Sequence, residues 1–285
     1  MVELPLATLE DVLQDAAAGG YAVGAFNANN LEYVQAIVAA AEDERAPVVV
    51  QASQGAIRHA GLEYIARIVR LAAERADVPV VLHLDHGRDL TLLKRCLGVG
   101  FTSVMFDGSH LPLEENIRLT AEVVRWARRV GISVEGELGQ VPRSSYTSLN
   151  ELAGLLTDPD EAARFVTETG VNALAVSVGS VHQMTRQQAV LDVRRVRAIR
   201  EATGVPLVLH GSSGVTDESL QAVIREGIRK VNFATALNQA FRRGLEETLA
   251  ASAEPDPRPA LSRARELVRE VVRDKIRLLG AAGRA

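Results

Sequence analysis

Residues 80–106 read VVLHLDHGRDLTLLKRCLGVGFTSVMF. Two apolar, β-rich runs, 80–84 (VVLHL) and 102–106 (TSVMF), enclose a segment of helical character. Strand, helix, strand is the unit from which parallel sheets are built. The first run opens with three apolar residues in succession, Val80 to Leu82, rather than alternating, as expected of a strand buried on both faces. Outward from it the pattern repeats at 22–26 (AVGAF), 48–51 (VVVQ), 132–137 (ISVEGE), 173–178 (ALAVSV), 206–210 (PLVLH) and 230–233 (KVNF), which makes eight strands.

Helical patterns follow the strands. Residues 112–130 place Leu113, Ile117, Ala121 and Val124 on one face. Residues 158–169 open with Asp158 as N-cap, Pro159 at the first helical position and Glu161 closing a capping box. Thr8 and Asp11 form a weaker box before the first helix, and 260–279 reads as a final charged helix. Strand and helix alternating eight times predicts an α/β fold, a (β/α)8 TIM barrel, as a single domain over residues 1–285 with an additional C-terminal helix. A doubly wound open sheet is the alternative. It is disfavoured because no glycine-rich dinucleotide fingerprint follows the first strand. Segment 139–157 is the longest non-periodic stretch and is the candidate mobile loop.

The chain has 285 residues, a formal net charge of -4 and 47% apolar residues, enough for a sizeable core. No basic stretch points to nucleic acid, and no apolar run has the length of a membrane helix. The first residues show no signal-peptide pattern. Cys96 is the only cysteine, so no internal disulfide forms. A cytoplasmic protein is expected.

In a barrel, side chains at the C-terminal ends of the strands converge on one mouth. Strand three ends His83-Leu84-Asp85-His86, with His86 starting the loop; Ser180-Val181-His182 follows strand six; strand seven ends at His210. Three imidazoles and an open position make a catalytic zinc arrangement. Asp85, beside one of them, is either a general acid/base or an orienting partner of the metal ligand. His83 reads as a core or supporting residue, and His59 and His110 receive no role. Gly211-Ser212-Ser213-Gly214 opens the seventh helix, and Asn232-Phe233-Ala234-Thr235 the eighth. Both suit phosphate binding at helix N-termini. Strands one, two and five end at Asn27, Ser53 and Glu137. Lysines occur only at 94, 230 and 275, none at a strand's C-terminal end. Schiff-base chemistry on a carbonyl substrate needs such a lysine, so any bond cleavage beside a carbonyl here would need a metal as electron sink.

VVLHLDHG (80–87), ALAVSVGSVH (173–182), LVLHGSSG (207–214) and KVNFATAL (230–237) resemble the class II fructose-bisphosphate/tagatose-bisphosphate aldolase family. So do GAFNANN (24–30), FTSVMFDGSH (101–110), VEGELG (134–139) and the terminal GAAGRA. The similarity runs in order along nearly the whole chain. It implies one catalytic zinc and reversible aldol cleavage of a ketose bisphosphate, fructose 1,6-bisphosphate first among them, to dihydroxyacetone phosphate and an aldehyde, glyceraldehyde 3-phosphate. A monovalent cation and a homodimer or homotetramer belong to the same expectation. By this resemblance His86, His182 and His210 hold the metal, and Asp85 exchanges the C4 hydroxyl proton. Gly211, Ser212 and Ser213 bind one phosphate together with Asn232, Phe233, Ala234 and Thr235. Asn27 and Ser53 lie near the substrate, and Glu137 supports the metal or ligates it alternatively.

Two positions depart from the family pattern. Gln183 stands where a glycine usually follows the second metal histidine. The loop after GELG carries no acid before Glu151. The NFATAL segment is closer to the tagatose-type branch than to the NxDTD pattern. Two other readings compete. A metal-dependent barrel hydrolase would want an HxH pair on the first strand, which is absent. A non-catalytic sugar-phosphate-binding protein is opposed by the retained metal ligands and Asp85.

Overall fold

The structure, a computed structural model, describes residues 6–142, 155–182, 184, 186–251 and 255–285. Eight parallel strands close into a barrel in sequence order: β1 (Val23–Asn27), β2 (Val48–Ser53), β3 (Val80–Gly87), β4 (Ser103–Phe106), β5 (Ser133–Leu138), β6 (Ala173–Val176), β7 (Leu207–Leu209) and β8 (Ile228–Phe233). β1 closes the ring on β8, pairing Ala25 with Asn232. The strands are buried almost throughout, which is why several of them read as apolar runs.

Helices wrap the barrel: α1 (Leu9–Gly19), α2 (Leu31–Glu44), α3 (Gln54–Ala60), α4 (Leu62–Ala73), α5 (Leu90–Val99), α6 (Leu113–Arg128), α7 (Pro159–Thr169), α8 (Val193–Thr203), α9 (Asp217–Glu226), α10 (Thr235–Ala251) and α11 (Arg258–Leu278). The caps anticipated from sequence form. Thr8 Oγ1 accepts from Asp11 N, and Asp158 accepts from the amides of Asp160 and Glu161. α1 precedes β1 and contacts β1, β5 and β8, strands on different sides of the ring. Its buried Leu9, Val12, Leu13 and Ala16 therefore close the N-terminal end, leaving the C-terminal end as the open mouth.

The last two helices pack together and against α2. Gly244 of α10 permits that closeness, because a Cβ there would lie 2.5 Å from the Ala264 Cα. Arg269, Arg273 and Arg277 of α11 pair with Asp43 and Glu44 at the end of α2.

Two local expectations change. The Gly211–Gly214 segment does not open the seventh helix. It forms a short 3-10 turn at Ser212–Gly214, and α9 begins separately at Asp217 under a Thr216 cap. His86 does not start a loop but belongs to β3. Of the candidate loop 139–157, residues 139–142 and 155–157 are described; Gln183 and Glu151 lie outside the described residues.

Candidate active site

Asp85 and His86 are adjacent, so a regular strand would point them to opposite faces. β3 is not regular there. Its register with β4 shifts between Leu84 and Gly87, and His86 adopts a left-handed backbone with φ 49°. Histidine is among the residues that tolerate this region best. The bulge brings Asp85 and His86 to the same pocket. Gly87 makes it sterically possible, since a Cβ there would lie 2.6 Å from the Met105 carbonyl oxygen.

His86, His182 and His210 converge from β3, from the segment after β6 and from the end of β7. Their ring centroids are 4.6 to 6.1 Å apart, and their ligand atoms lie within 4.8 Å of one another. His210 Nδ1 stands 3.0 Å from His86 Nε2. Two nitrogens bound to one tetrahedral zinc at 2.0–2.1 Å would be about 3.3 Å apart, so the spacing needs only a small adjustment. The His182 amide donates to the Pro142 carbonyl at 2.8 Å.

Carboxylates surround this cluster. Asp107 Oδ2 is 3.1 Å from His86 Nδ1, and Glu137 Oε2 is 3.5 Å from the same nitrogen. The Glu137 oxygen is buried and has no hydrogen-bond partner among the described residues. Burial works against a charged His86, but Asp85, Asp107 and Glu137 outweigh it and raise its pKa to about 9. Burial pushes Glu137 up to about 8, with Asp107, Glu135 and Asp85 adding to the rise against the pull of His86. Burial also opposes ionisation of Asp85, yet the charges of His86 and Lys230 and a hydrogen bond from Asn27 leave it below its ordinary value. Burial holds His210 well below the usual histidine range. Three imidazoles and an orphaned carboxylate oxygen fit a divalent cation. A second set, His86, Asp107 and Glu137, shares the His86 ring.

The inner pocket is small, about 80 Å³. Asn27, Asp85, His86 and His182 line it, facing Gly211, Ser212, Ser213, Asn232, Ala234 and Thr235. Gly211 has φ 67°, and a Cβ would meet the Val181 carbonyl at 2.9 Å, so glycine is required for this turn to approach the His182 segment. α10 starts at Thr235, which directs its N-terminal amides and dipole at the pocket. Phe233 differs from its neighbours. Its side chain is fully buried and stacks on Phe26 at 5.6 Å, because alternate residues of β8 face opposite sides. It holds the segment in place without reaching the pocket. Ser53 lies further out and uses its hydroxyl to cap α3.

An outer mouth of about 590 Å³ continues from this pocket; Ser53, Arg58, Arg88, His110 and Glu137 are among its walls. Arg88 grips Asp107 with two hydrogen bonds of 2.9 and 2.7 Å. Asp107, Arg88 and Glu135 were missed by sequence reasoning. Glu135 was legible in principle: it precedes Glu137 by two on one strand, and such residues share a face.

The model for the family described as "Fructose-bisphosphate aldolase class-II" matches residues 7–284. A fructose-bisphosphate aldolase of Geobacillus stearothermophilus is 40% identical over 286 aligned residues, covering 99% of this chain and 99% of the relative. A probable fructose-bisphosphate aldolase of Bacillus subtilis is also 40% identical, over 99% of this chain and all of the relative. Among solved structures, the YdjI aldolase of Escherichia coli K12 superposes with a TM-score of 0.88 at 34% identity, covering 98% of this chain and 99% of that one. The barrel, the histidine cluster at its mouth and likeness over the full length agree: the chain belongs to the class II fructose-bisphosphate aldolase family and is a lyase of the aldolase type.

Proposed function

We propose that the chain is a zinc-dependent aldolase that reversibly cleaves fructose 1,6-bisphosphate to dihydroxyacetone phosphate and glyceraldehyde 3-phosphate. The observation that carries this reading is the meeting of His86, His182 and His210 beside Asp85 and a phosphate-sized cradle. The names of the full-length relatives support the substrate. Imidazole nitrogens suit zinc.

His86, His182 and His210 would hold the zinc ion, which when bound would supply a Lewis acid to polarise the ketose carbonyl and offset the negative charge that cleavage creates. Ionised Asp85 takes the C4 hydroxyl proton in cleavage and returns it in condensation. Asn27 and Asn232 donate to its two oxygens and fix the carboxylate's plane. Gly211 to Ser213 and Asn232 to Thr235 anchor the phosphate of the dihydroxyacetone half and so orient the bond to be broken. Ser53 would contact the substrate further out, and Glu137 and Asp107 with His86 form a second set that would accept the metal.

A second substrate, tagatose 1,6-bisphosphate or another sugar phosphate, is favoured by one residue. Ala234 puts an apolar side chain in the cradle at the place where the NxDTD pattern has an acid. The reading carries a single catalytic domain, a cytoplasmic location and a homodimer or homotetramer, the last tested by sedimentation. The deciding experiment is elemental analysis followed by triose phosphate release from fructose and tagatose bisphosphates, with and without chelator. Stoichiometric zinc and chelator-sensitive turnover are expected. Chelator-insensitive turnover by zinc-free protein would overturn the mechanism, and phosphate binding without turnover would favour a binding protein.

A further inference from the structure

Beneath the mouth the barrel interior is unusually polar. Barrel interiors are mostly filled by branched aliphatic side chains. Here Gln51, His83, Glu135 and Lys230 are all fully buried. Lys230 Nζ lies 2.9 Å from Glu135 Oε2 and donates to Asn232 Oδ1 at 2.7 Å. Glu135 Oε1 is 2.8 Å from His210 Nε2. Asn232 Nδ2 in turn donates to Asp85 Oδ1 at 3.3 Å. One buried cation thus stands behind both a metal-ligating histidine and the proton-transferring carboxylate.

We propose that the Lys230–Glu135 pair is a positioning device that sets the tautomer of His210 and the amide orientation of Asn232. The inference rests on the reading above for the roles of His210 and Asp85. The logic is donor against acceptor. A carboxylate only accepts, so His210 Nε2 carries the proton and Nδ1 is left bare toward His86 Nε2. An ammonium only donates, so Asn232 turns its oxygen to Lys230 and its NH2 to Asp85. Asn232 Nδ2 is also 3.2 Å from His210 Nε2 and competes for it as a donor. The Glu135 carboxylate settles that competition.

Stability alone gives no reason for the pair, because well-packed apolar residues often replace a buried ion pair without loss. Lys230 is also unsuited to form a Schiff base. Its side chain is fully buried, and its nitrogen is engaged by Glu135 and Asn232.

The test compares Glu135→Gln with the double variant Glu135→Gln/Lys230→Met. In the single variant the new amide must turn its oxygen to the ammonium and its NH2 to His210 Nε2. That forces the proton onto Nδ1 and blocks the ligand. In the double variant the ammonium is gone, so the amide oxygen is free to accept from His210 Nε2, while Asn232 loses its anchor. Three measurements follow: the His210 tautomer by 15N NMR of the metal-stripped protein, zinc Kd by competition with a chromophoric chelator, and kcat and KM at saturating zinc.

The single variant is expected to change tautomer and to lose about 10–100-fold in zinc affinity. The double variant is expected to regain the Nε2–H tautomer and most of the zinc affinity, yet to stay about ten-fold or more below wild type in kcat. A pair that serves only as packing would move all three together or none. An unchanged tautomer and zinc Kd in Glu135→Gln overturn the proposal, as does wild-type kcat in the double variant. If the single variant does not fold, the double variant, with neither charge buried, carries the test by its tautomer and kcat. If the wild type neither binds zinc nor turns over, the role assigned to the site fails, while the tautomer still reports on Glu135 separately.

Discussion

Replacing Asp85 by asparagine removes a base while keeping its shape, and the structure predicts two separable costs. Both carboxylate oxygens accept hydrogen bonds, from Asn27 Nδ2 at 2.8 Å and from Asn232 Nδ2 at 3.3 Å. An amide must point its NH2 at one of these donors, and it will choose the longer contact. Asp85 is 5% exposed, so water does little to relieve the mismatch. One buried unsatisfied group costs about 1–3 kcal/mol. A domain with about 5–15 kcal/mol of stability survives that. The catalytic cost is larger. General acid–base groups contribute about 10²–10⁴-fold, which is about 2.7–5.4 kcal/mol of barrier. Asp85 Oδ1 also lies 3.9 Å from His86 Nε2, so the variant is assayed at saturating metal to separate ligand loss from base loss. Triose phosphate release, followed by a coupled dehydrogenase, should fall at least about 100-fold in kcat while urea melts shift modestly. Activity within ten-fold of wild type would refute the assignment of Asp85 as the base, and so would a loss accounted for by unfolding.

Three further outcomes follow from the packing and the charges. Gly244→Ala should destabilise by about 1–3 kcal/mol in urea despite the better helix propensity of alanine, because the methyl meets the Ala264 backbone; a neutral or stabilising result would show that the two helices part easily. Asp43 and Glu44 have depressed pKa values, chiefly through hydrogen bonds from Arg269 and Arg277 respectively. Their stabilisation is therefore complete above their unfolded values near pH 4 and is lost as pH falls through the lower folded values, at under about 1 kcal/mol each. Arg269→Ala should accordingly lower stability at pH 7 but not near pH 2, and an equal loss at both would contradict the pairing. Burial pushes the Cys96 thiol up to about 12, and the residue is fully enclosed; a thiol reagent should label it only in denaturant, and rapid labelling of the native protein would contradict the enclosure.

The sequence alone determined the barrel and the identity of the residues at its mouth. Strands buried on both faces are mostly apolar, so their number and order are written locally, as are caps such as Thr8 and Asp158. At the ends of those runs His86 and Asn232 line the pocket, and fully buried His210 meets both of them. What the sequence could not show is orientation. Strand periodicity assigns Asp85 and His86 to opposite faces, and only the bulge against β4 unites them. It groups Phe233 with the phosphate cradle, and only the pleat of β8 turns it away. It leaves Glu135 and Lys230 as two unremarkable charges 95 positions apart, and only barrel closure brings them to 2.9 Å beneath the histidines. Burial and local conformation are encoded within a few residues of chain, whereas contacts between strands distant in sequence exist only once the ring is closed.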